Sequence, residues 1–405
     1  MTRDARLLFL ARAVRMFGYG ALGVILVLYL VAAGLDAGAI GALLTLTLVG
    51  DTLISLYLTT HADRFGRRRT LIVGALLLTG AGLVFAWNTA FVVLLVTATL
   101  GVLSPSGNEV GPFLPIEQAS LTEVTPANRR TNIYAWYNLT GSIATATGAL
   151  VAGVAVGVLK GAGWSELDAY RAILGGYAFV GLALIPIIRS VSPAVEVPPV
   201  DTSIARRLGL HKSQGIVLRL AALFSLDAFG GGLIVQSLLA YWFHTRFGLP
   251  EPVLGAIFFA ANILAAVSAL LAARIAARIG LINTMVFTHL PSNVLLMLVP
   301  LMPTVELAIL VLLARFSISQ MDVPARQSYT VSIVDPDERS AAAGVTGVAR
   351  TTGAALSPLI AAPLYASAAL ASWPFFLAGG LKILYDLLLW RAFRSRRPPE
   401  EAAPS

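Results

Sequence analysis

Twelve apolar runs, each long enough to cross a bilayer, recur from one end of this chain to the other. They lie at 7–31, 40–60, 71–87, 91–121, 133–159, 169–188, 216–243, 253–273, 281–301, 305–334, 341–366 and 373–393. In hydrocarbon every backbone N–H and C=O has to be bonded within the protein, and a run of this length does that as an α-helix. The expectation is an all-α membrane protein with twelve transmembrane helices. Composition agrees: only 12% of the residues are charged, against about 25% in soluble domains. The fourth and tenth runs stand apart, because both carry prolines and polar residues deep inside.

Between the second and third runs sits His61-Ala-Asp-Arg-Phe-Gly-Arg-Arg-Arg-Thr70. Four arginines this close together cannot follow the helices into hydrocarbon, so the loop marks one membrane face, and by the positive-inside rule that face is cytoplasmic. Gly66 suits a tight turn at positive φ, and Asp63, the lone acid, suits an ion pair. The same set of helix ends carries Arg3, Arg6, Arg129, Arg130, Arg189, Arg206, Arg207, Lys212, Arg274, Arg278, Arg339, Arg391, Arg394, Arg396 and Arg397. The opposite set carries Lys160, Arg171 and Arg246. This asymmetry places both termini in the cytoplasm, in an even-numbered helix count. The net charge of +8 is spread over short loops and forms no basic face, which argues against nucleic acid. With no cysteine there is no disulfide, thiolate metal site or thiol nucleophile. The first apolar run lacks a small-residue cleavage site, so no cleaved signal peptide is expected.

The chain also reads as two related halves. Pro115-Ile-Glu-Gln118 matches Pro324-Ala-Arg-Gln327, and the same offset places Arg130 on Arg339. His61-Ala-Asp-Arg-Phe-Gly66 aligns with Ile275-Ala-Ala-Arg-Ile-Gly280, where Ala277 replaces Asp63. A polar stretch with Pro193, Pro198 and Pro199 separates the halves. The expected division is a six-helix bundle at 1–188, a cytoplasmic linker at 189–212, a second six-helix bundle at 213–394 and a tail at 395–405. Parallel repeats of this kind are a transporter design with its site near the membrane midplane.

The loop Asp63-Arg-Phe-Gly-Arg-Arg-Arg69, its degenerate second copy, the linker and the helix count resemble the major facilitator superfamily over nearly the whole chain. The resemblance implies two pseudo-symmetric six-helix bundles that rock about a central cavity. It also implies a cytoplasmic gate motif at Asp63, Arg64, Gly66, Arg67 and Arg68, a latch that stabilises the outward-open state. The family's drug–proton antiporters carry an arginine midway along helix 4 and a Gly-Pro pair in helix 5. This chain has neither, and places Ser357-Pro358 in the eleventh run instead.

A charge at the bilayer centre costs at least about 2.5–3.5 kcal/mol, so charges deep in the runs face a partner or a water-filled cavity. Asp51, Asp227, Arg315 and Arg350 fall near the middle of runs 2, 7, 10 and 11, and Glu109 a little below the middle of run 4. Arg15 lies in the cytoplasmic half of run 1, and Glu117, Asp322 and Arg326 lie toward the cytoplasmic ends of runs 4 and 10. One reading makes Asp51, Glu109 or Asp227 a proton carrier and Arg315 or Arg350 a substrate ligand, with Asp227 and Arg315 ahead of Asp51. The competing reading pairs these charges with one another, Asp227 with Arg350 for instance, to hold the bundle together. Glu117, Asp322 and Arg326 read as gate salt bridges.

Gly18-Tyr-Gly-Ala-Leu-Gly23 matches a dinucleotide-binding pattern but lies inside a helix with no strand before it. There is no Walker loop and no metalloprotease or serine-elbow motif. The chain is expected to be a cofactor-free, monomeric secondary transporter of a small organic molecule, working by alternating access with protons as coupling ion and effluxing its substrate. The expected site is the cytoplasmic (inner) membrane of a bacterium. A proton-coupled importer of a small organic anion is the rival, and a membrane-embedded enzyme or non-transporting receptor is the rival from another class.

Overall fold

The computed structural model describes residues 1–126, 130–196, 212–335 and 338–396. Outside these fall Arg129, Arg206, Arg207, Arg397, Pro198, Pro199 and Pro336, with most of the expected linker and tail. The described chain is helical, without a strand. Its α-helices are α1 (Arg3–Ala32), α2 (Ala37–Phe65), α3 (Arg67–Trp87), α4 (Phe91–Leu100), α5 (Phe113–Glu123), α6 (Arg130–Gly161), α7 (Glu166–Arg189) and α8 (Gln214–Gly232). There follow α9 (Gln236–Phe247), α10 (Glu251–Ile279), α11 (Leu281–Leu298), α12 (Val305–Phe316), α13 (Asp322–Ser332), α14 (Arg339–Leu356), α15 (Pro358–Ala366) and α16 (Trp373–Phe393).

Among the described residues, nine helical spans are long and apolar enough to cross a membrane, with α8 and α9 counted as one. The other three expected spans are each broken in two. Residues 101–112 separate α4 from α5, 317–321 separate α12 from α13, and Ser357 separates α14 from α15. The causes are local. Gly107 and Gly111 adopt φ of 70° and 80°, a region closed to most other residues, and Pro105 and Pro112 remove donors. Pro324 lies in the first turn of α13 and Pro358 at the first position of α15, where a proline is tolerated; each ring disfavours a helix continuing from the residues before it.

By its contacts the chain divides into two units: Met1–Asp201 with Val235–Ala260, and Thr202–Ile234 with Ala261–Ser405. In the first, α1 lies against α6 and α7, α3 against α7, and α2 against α4. Helices α1 and α6 meet backbone to backbone: a Cβ at Gly20 would strike the Thr145 carbonyl, and one at Gly148 the Phe17 carbonyl. That is how small residues hold membrane helices together. In the same unit Glu251, buried at the start of α10, accepts from Lys160 Nζ at 2.9 Å and Tyr170 Oη at 2.6 Å. In the second unit α8 packs on α14 and α16, and α11 on α16, α12 and α13. The interior between them is a cluster around Phe224, Met285, Tyr329, Tyr385 and Leu389.

Candidate functional site

The break at 101–112 exposes backbone groups at membrane depth, where each needs a partner. Side chains from neighbouring helices supply them. Tyr19 Oη donates to the Val110 carbonyl at 3.0 Å, Tyr177 Oη to the Val102 carbonyl at 2.7 Å, and the Gly111 N–H donates to Asp51 Oδ1 at 2.6 Å. Ser104 Oγ closes the turn on the Asn108 carbonyl at 2.6 Å. The irregular segment is therefore a built feature, and it carries Glu109.

Glu109 and Glu117 converge on two arginines of α1. Arg12 Nη1 reaches Glu109 Oε2 at 2.8 Å, and Arg15 Nε reaches Glu109 Oε1 at 2.9 Å. Arg15 also grips Glu117 with a two-pronged contact, Nη1–Oε1 at 2.6 Å and Nη2–Oε2 at 2.7 Å. This is the strong geometry for a guanidinium and a carboxylate. Tyr137 donates to Glu117 as well, and the Arg12 and Arg15 guanidinia lie 4.4 Å over the Tyr137 and Phe113 rings. Two acids meet two bases here, so the group is neutral as a whole.

A second cluster forms in the other unit around Asp227. Lys382 Nζ reaches Asp227 Oδ1 at 2.6 Å, Arg350 Nη1 reaches Oδ2 at 3.1 Å, and Arg326 Nη1 reaches Oδ2 at 3.4 Å. Arg326 also binds Asp322 at 2.8 Å, one helical turn away. His289 bridges two acids, with Nδ1 2.9 Å from Asp386 Oδ1 and Nε2 3.8 Å from Asp227 Oδ1. Asn293 Nδ2 donates to Asp386 Oδ2 at 3.1 Å. The cluster thus gathers three acids, Asp227, Asp322 and Asp386, with Lys382, Arg326, Arg350 and His289. The Asp227–Arg350 pairing weighed from sequence is present, as one contact of several.

Lys382, Asp386, His289 and Arg12 are not among the sequence candidates. Lys382 and Asp386 could have been found: they are an i, i+4 opposite-charge pair inside the last apolar run. His289 has no partner near it in sequence, and its partners come from α8 and α16.

Two deep charges stand outside these clusters. Asp51 lies mid-helix, about 21 Å from either end of α2 at the usual rise per residue. Its carboxylate accepts from the Gly111 N–H and from Ser55 Oγ at 3.3 Å, and among the described residues it makes no ion pair. Arg315 lies about 15 Å along α12. Its residue is 8% exposed, its Nε is covered without an acceptor, and no carboxylate pairs with it among the described residues. Its guanidinium sits 5.0 Å from the Phe316 ring.

At the 61–70 loop, Gly66 has φ of 95° and its repeat counterpart Gly280 has φ of 83°. Each ends one helix and starts the next, as a tight antiparallel turn requires. Asp63 Oδ1 lies 2.7 Å from Arg67 Nε, and Glu123 is 3.7 Å from Arg67 Nη1. Glu196 caps the start of α3, accepting from the backbone N–H of Arg67 at 2.6 Å and of Arg68 at 3.1 Å. A carboxylate there also complements the helix dipole. Arg67 Nη1 donates to the Val195 carbonyl at 3.1 Å and Arg68 Nη2 to the Arg189 carbonyl at 2.7 Å. The loop is thus tied to 189–196, the first residues of the expected linker, a contact that the motif alone does not announce. Arg64 is exposed.

Comparison with known proteins places this geometry in context. The family model described as Major Facilitator Superfamily matches residues 8–321 and 220–405. An uncharacterized membrane protein of the yeast Saccharomyces cerevisiae is 30% identical, covering 96% of this chain and 93% of the yeast protein. Among solved structures, a nucleoside transporter superposes with a TM-score of 0.73 at 14% identity, covering 97% of this chain and 100% of that one. A D-xylose–proton symporter gives a TM-score of 0.71 at 14% identity, with 96% and 97% covered. A peptide transporter gives 0.73 at 13% identity, with 100% and 99% covered.

Proposed function

The chain belongs to the major facilitator superfamily and is a membrane transporter of that fold, and on that premise we propose that it exports a small organic solute in exchange for protons, with Asp51 as the proton carrier. The observation that carries this reading is the charge balance. Asp227, Glu109 and Glu117 are each paired with arginine or lysine, whereas Asp51 has hydrogen-bond donors and, among the described residues, no cation partner. A carboxylate that changes charge during a transport cycle is freer to do so without a permanent cation beside it. Among the described residues two deep acids lack an arginine or lysine contact: Asp386, which His289 and Asn293 hold, and Asp51, whose only partners are the Gly111 N–H and Ser55 Oγ. Arg12, Arg15, Glu109 and Glu117 then serve to hold α1 against the broken fourth span, and the Asp227 cluster does the same for α8, α13, α14 and α16.

The helix interruptions support a site at this depth. Spans interrupted at corresponding places of two repeats mark the binding region of many transporters, and here the fourth and tenth are both interrupted, beside Glu109 and Arg315 respectively. In inside-out vesicles energised to a pH gradient and reporting through acridine orange, a panel of organic anions, sugars and organic cations should contain a solute whose addition dissipates the gradient. If solutes cross sealed vesicles and none moves protons, the proton linkage fails. If the wild-type chain moves no solute, the transport reading itself fails. The importer reading has Arg315 in its favour, and the sign of the proton flux separates it from export.

The 61–70 loop is proposed to act as a latch on the cytoplasmic face. The Asp63–Arg67 pair orients a guanidinium whose other contacts run to Val195 and Glu123, so Asp63→Ala should loosen the loop from 189–196. The expected outcome is greater cytoplasmic accessibility with unchanged solute preference, read by labelling single cysteines introduced into this cysteine-free chain. Equal labelling of variant and parent removes the latch.

A further inference from the structure

Arg315 poses a problem that the protein itself does not solve. A guanidinium keeps its charge at any accessible pH, so it cannot escape an apolar environment by losing a proton. It must therefore find an anion, water or a polar pocket. Every other deep arginine among the described residues has an acid: Arg12 and Arg15 have Glu109 and Glu117, and Arg326 and Arg350 have Asp227. Arg315 has none, and the nearest acid in sequence, Asp322, is occupied by Arg326 at 2.8 Å.

Its position narrows the choice of anion. Arg315 lies one residue before the end of α12, with Phe316 between it and the 317–321 interruption. From Val305 to Arg315 the helix climbs about 15 Å, half of a hydrocarbon core of about 30 Å. A lipid phosphate stays at the interface, well short of that depth. The residue is 8% exposed, so it faces protein and not the acyl chains. The Phe316 ring centroid lies 5.0 Å from the guanidinium carbon, and the covered Nε has no acceptor. A planar fork of N–H donors is matched by a carboxylate, a phosphate or a sulfonate, which can take two parallel hydrogen bonds.

We propose that Arg315 is the anion-binding residue of the transport site, and that the transported solute carries a carboxylate or another small oxyanion. This rests on the transporter reading and adds to it the chemical class of the solute. The bound anion supplies the charge that the empty carrier lacks, so a neutral or cationic analogue of the same shape should bind far less well. A solute that brings its own negative charge also enters a site whose guanidinium is already oriented, which lowers the cost of ordering.

The test uses the purified full-length chain and its Arg315→Gln and Arg315→Lys variants. Thermal unfolding is followed in anion-poor buffer and then with benzoate, inorganic phosphate and methanesulfonate as probes, and with benzamide as the neutral control. In anion-poor buffer Arg315→Gln should unfold at or above the wild-type temperature, since it removes an uncompensated charge. At least one oxyanion should raise the wild-type midpoint by a few degrees, as a ligand of the folded state does. The same oxyanion should raise Arg315→Lys less and Arg315→Gln not at all, with benzamide without effect on any. A clear loss of stability in Arg315→Gln would show that the guanidinium is already satisfied by the protein, and would overturn the proposal. So would an equal response of wild type and Arg315→Gln to every oxyanion, or no response of the wild type to any. These readings are made on solubilised protein, so they stand apart from failure of the transport reading, which shows as absent solute flux in sealed vesicles.

Discussion

Asp227→Asn should unfold this protein at a markedly lower temperature than the parent, with a loss of about 3–5 kcal/mol of folded-state stability. Asp227 is 4% exposed in its side chain and contacts Lys382, Arg326 and Arg350, whose side chains are 9%, 8% and 32% exposed. Removing the acid leaves Lys382 without its partner, because Asp386 is directed to His289 and Asn293. The Asp322 carboxylate retains Arg326, and Arg350 has some access to water, so most of the loss falls on Lys382. This assigns a sign to a second variant. Lys382→Met alone should also be destabilising, but Asp227→Asn with Lys382→Met should recover a large part of the loss, since an ion pair exchanged as a unit for apolar bulk is often neutral. Two losses that simply add would mean that the contact at 2.6 Å does not carry the energy assigned to it.

The second large effect is on transport. Asp51→Asn should fold normally and lose solute-driven proton movement. Asparagine keeps the side-chain oxygen that accepts the Gly111 N–H at 2.6 Å, so the turn at 101–112 stays closed. What it lacks is the exchangeable proton. A charged group at this depth costs about 2.5–3.5 kcal/mol, and among the described residues no cation pairs with Asp51 to offset that cost. Asp51→Asn should therefore leave any downhill solute exchange in place while the pH gradient in inside-out vesicles no longer responds to the solute. Asp51→Glu, which restores a carboxyl group, should recover part of the response. Retention of full proton coupling in Asp51→Asn would move the carrier elsewhere.

Much of the fold is legible from the order of residues, because length and apolarity of a run are enough to name a membrane span. The turn at Gly66 and its counterpart at Gly280 are equally plain: a helix cannot reverse in so few residues without a positive φ, and both glycines have one. The interruptions were half visible. Pro105, Gly107, Gly111 and Pro112 mark the fourth run as unusual, but single helices at 91–121, 305–334 and 341–366 are what apolarity alone suggests. Sequence does not say that Tyr19, Tyr177 and Asp51 from other helices bond the Val110 and Val102 carbonyls and the Gly111 N–H of the break.

The charge environment of the deep acids is also set by contacts between helices. Asp227, beside three glycines, reads as the better proton carrier, and Asp51 as the weaker candidate. Compensation, however, is set by which cations arrive from other helices. Lys382, Arg326 and Arg350 reach Asp227 from α16, α13 and α14, and none is within twenty residues of it. Depth can be counted along one helix; charge balance cannot.

The central claim is that the exchangeable proton resides on Asp51. Infrared difference spectroscopy of the purified chain across a pH titration tests it without knowledge of the solute, because a protonated carboxyl group has its own C=O band. The account predicts a band that appears and disappears with pH in the wild type and in Asp227→Asn with Lys382→Met, and is missing from Asp51→Asn. A titrating band that survives in Asp51→Asn and vanishes with Asp227 would contradict it.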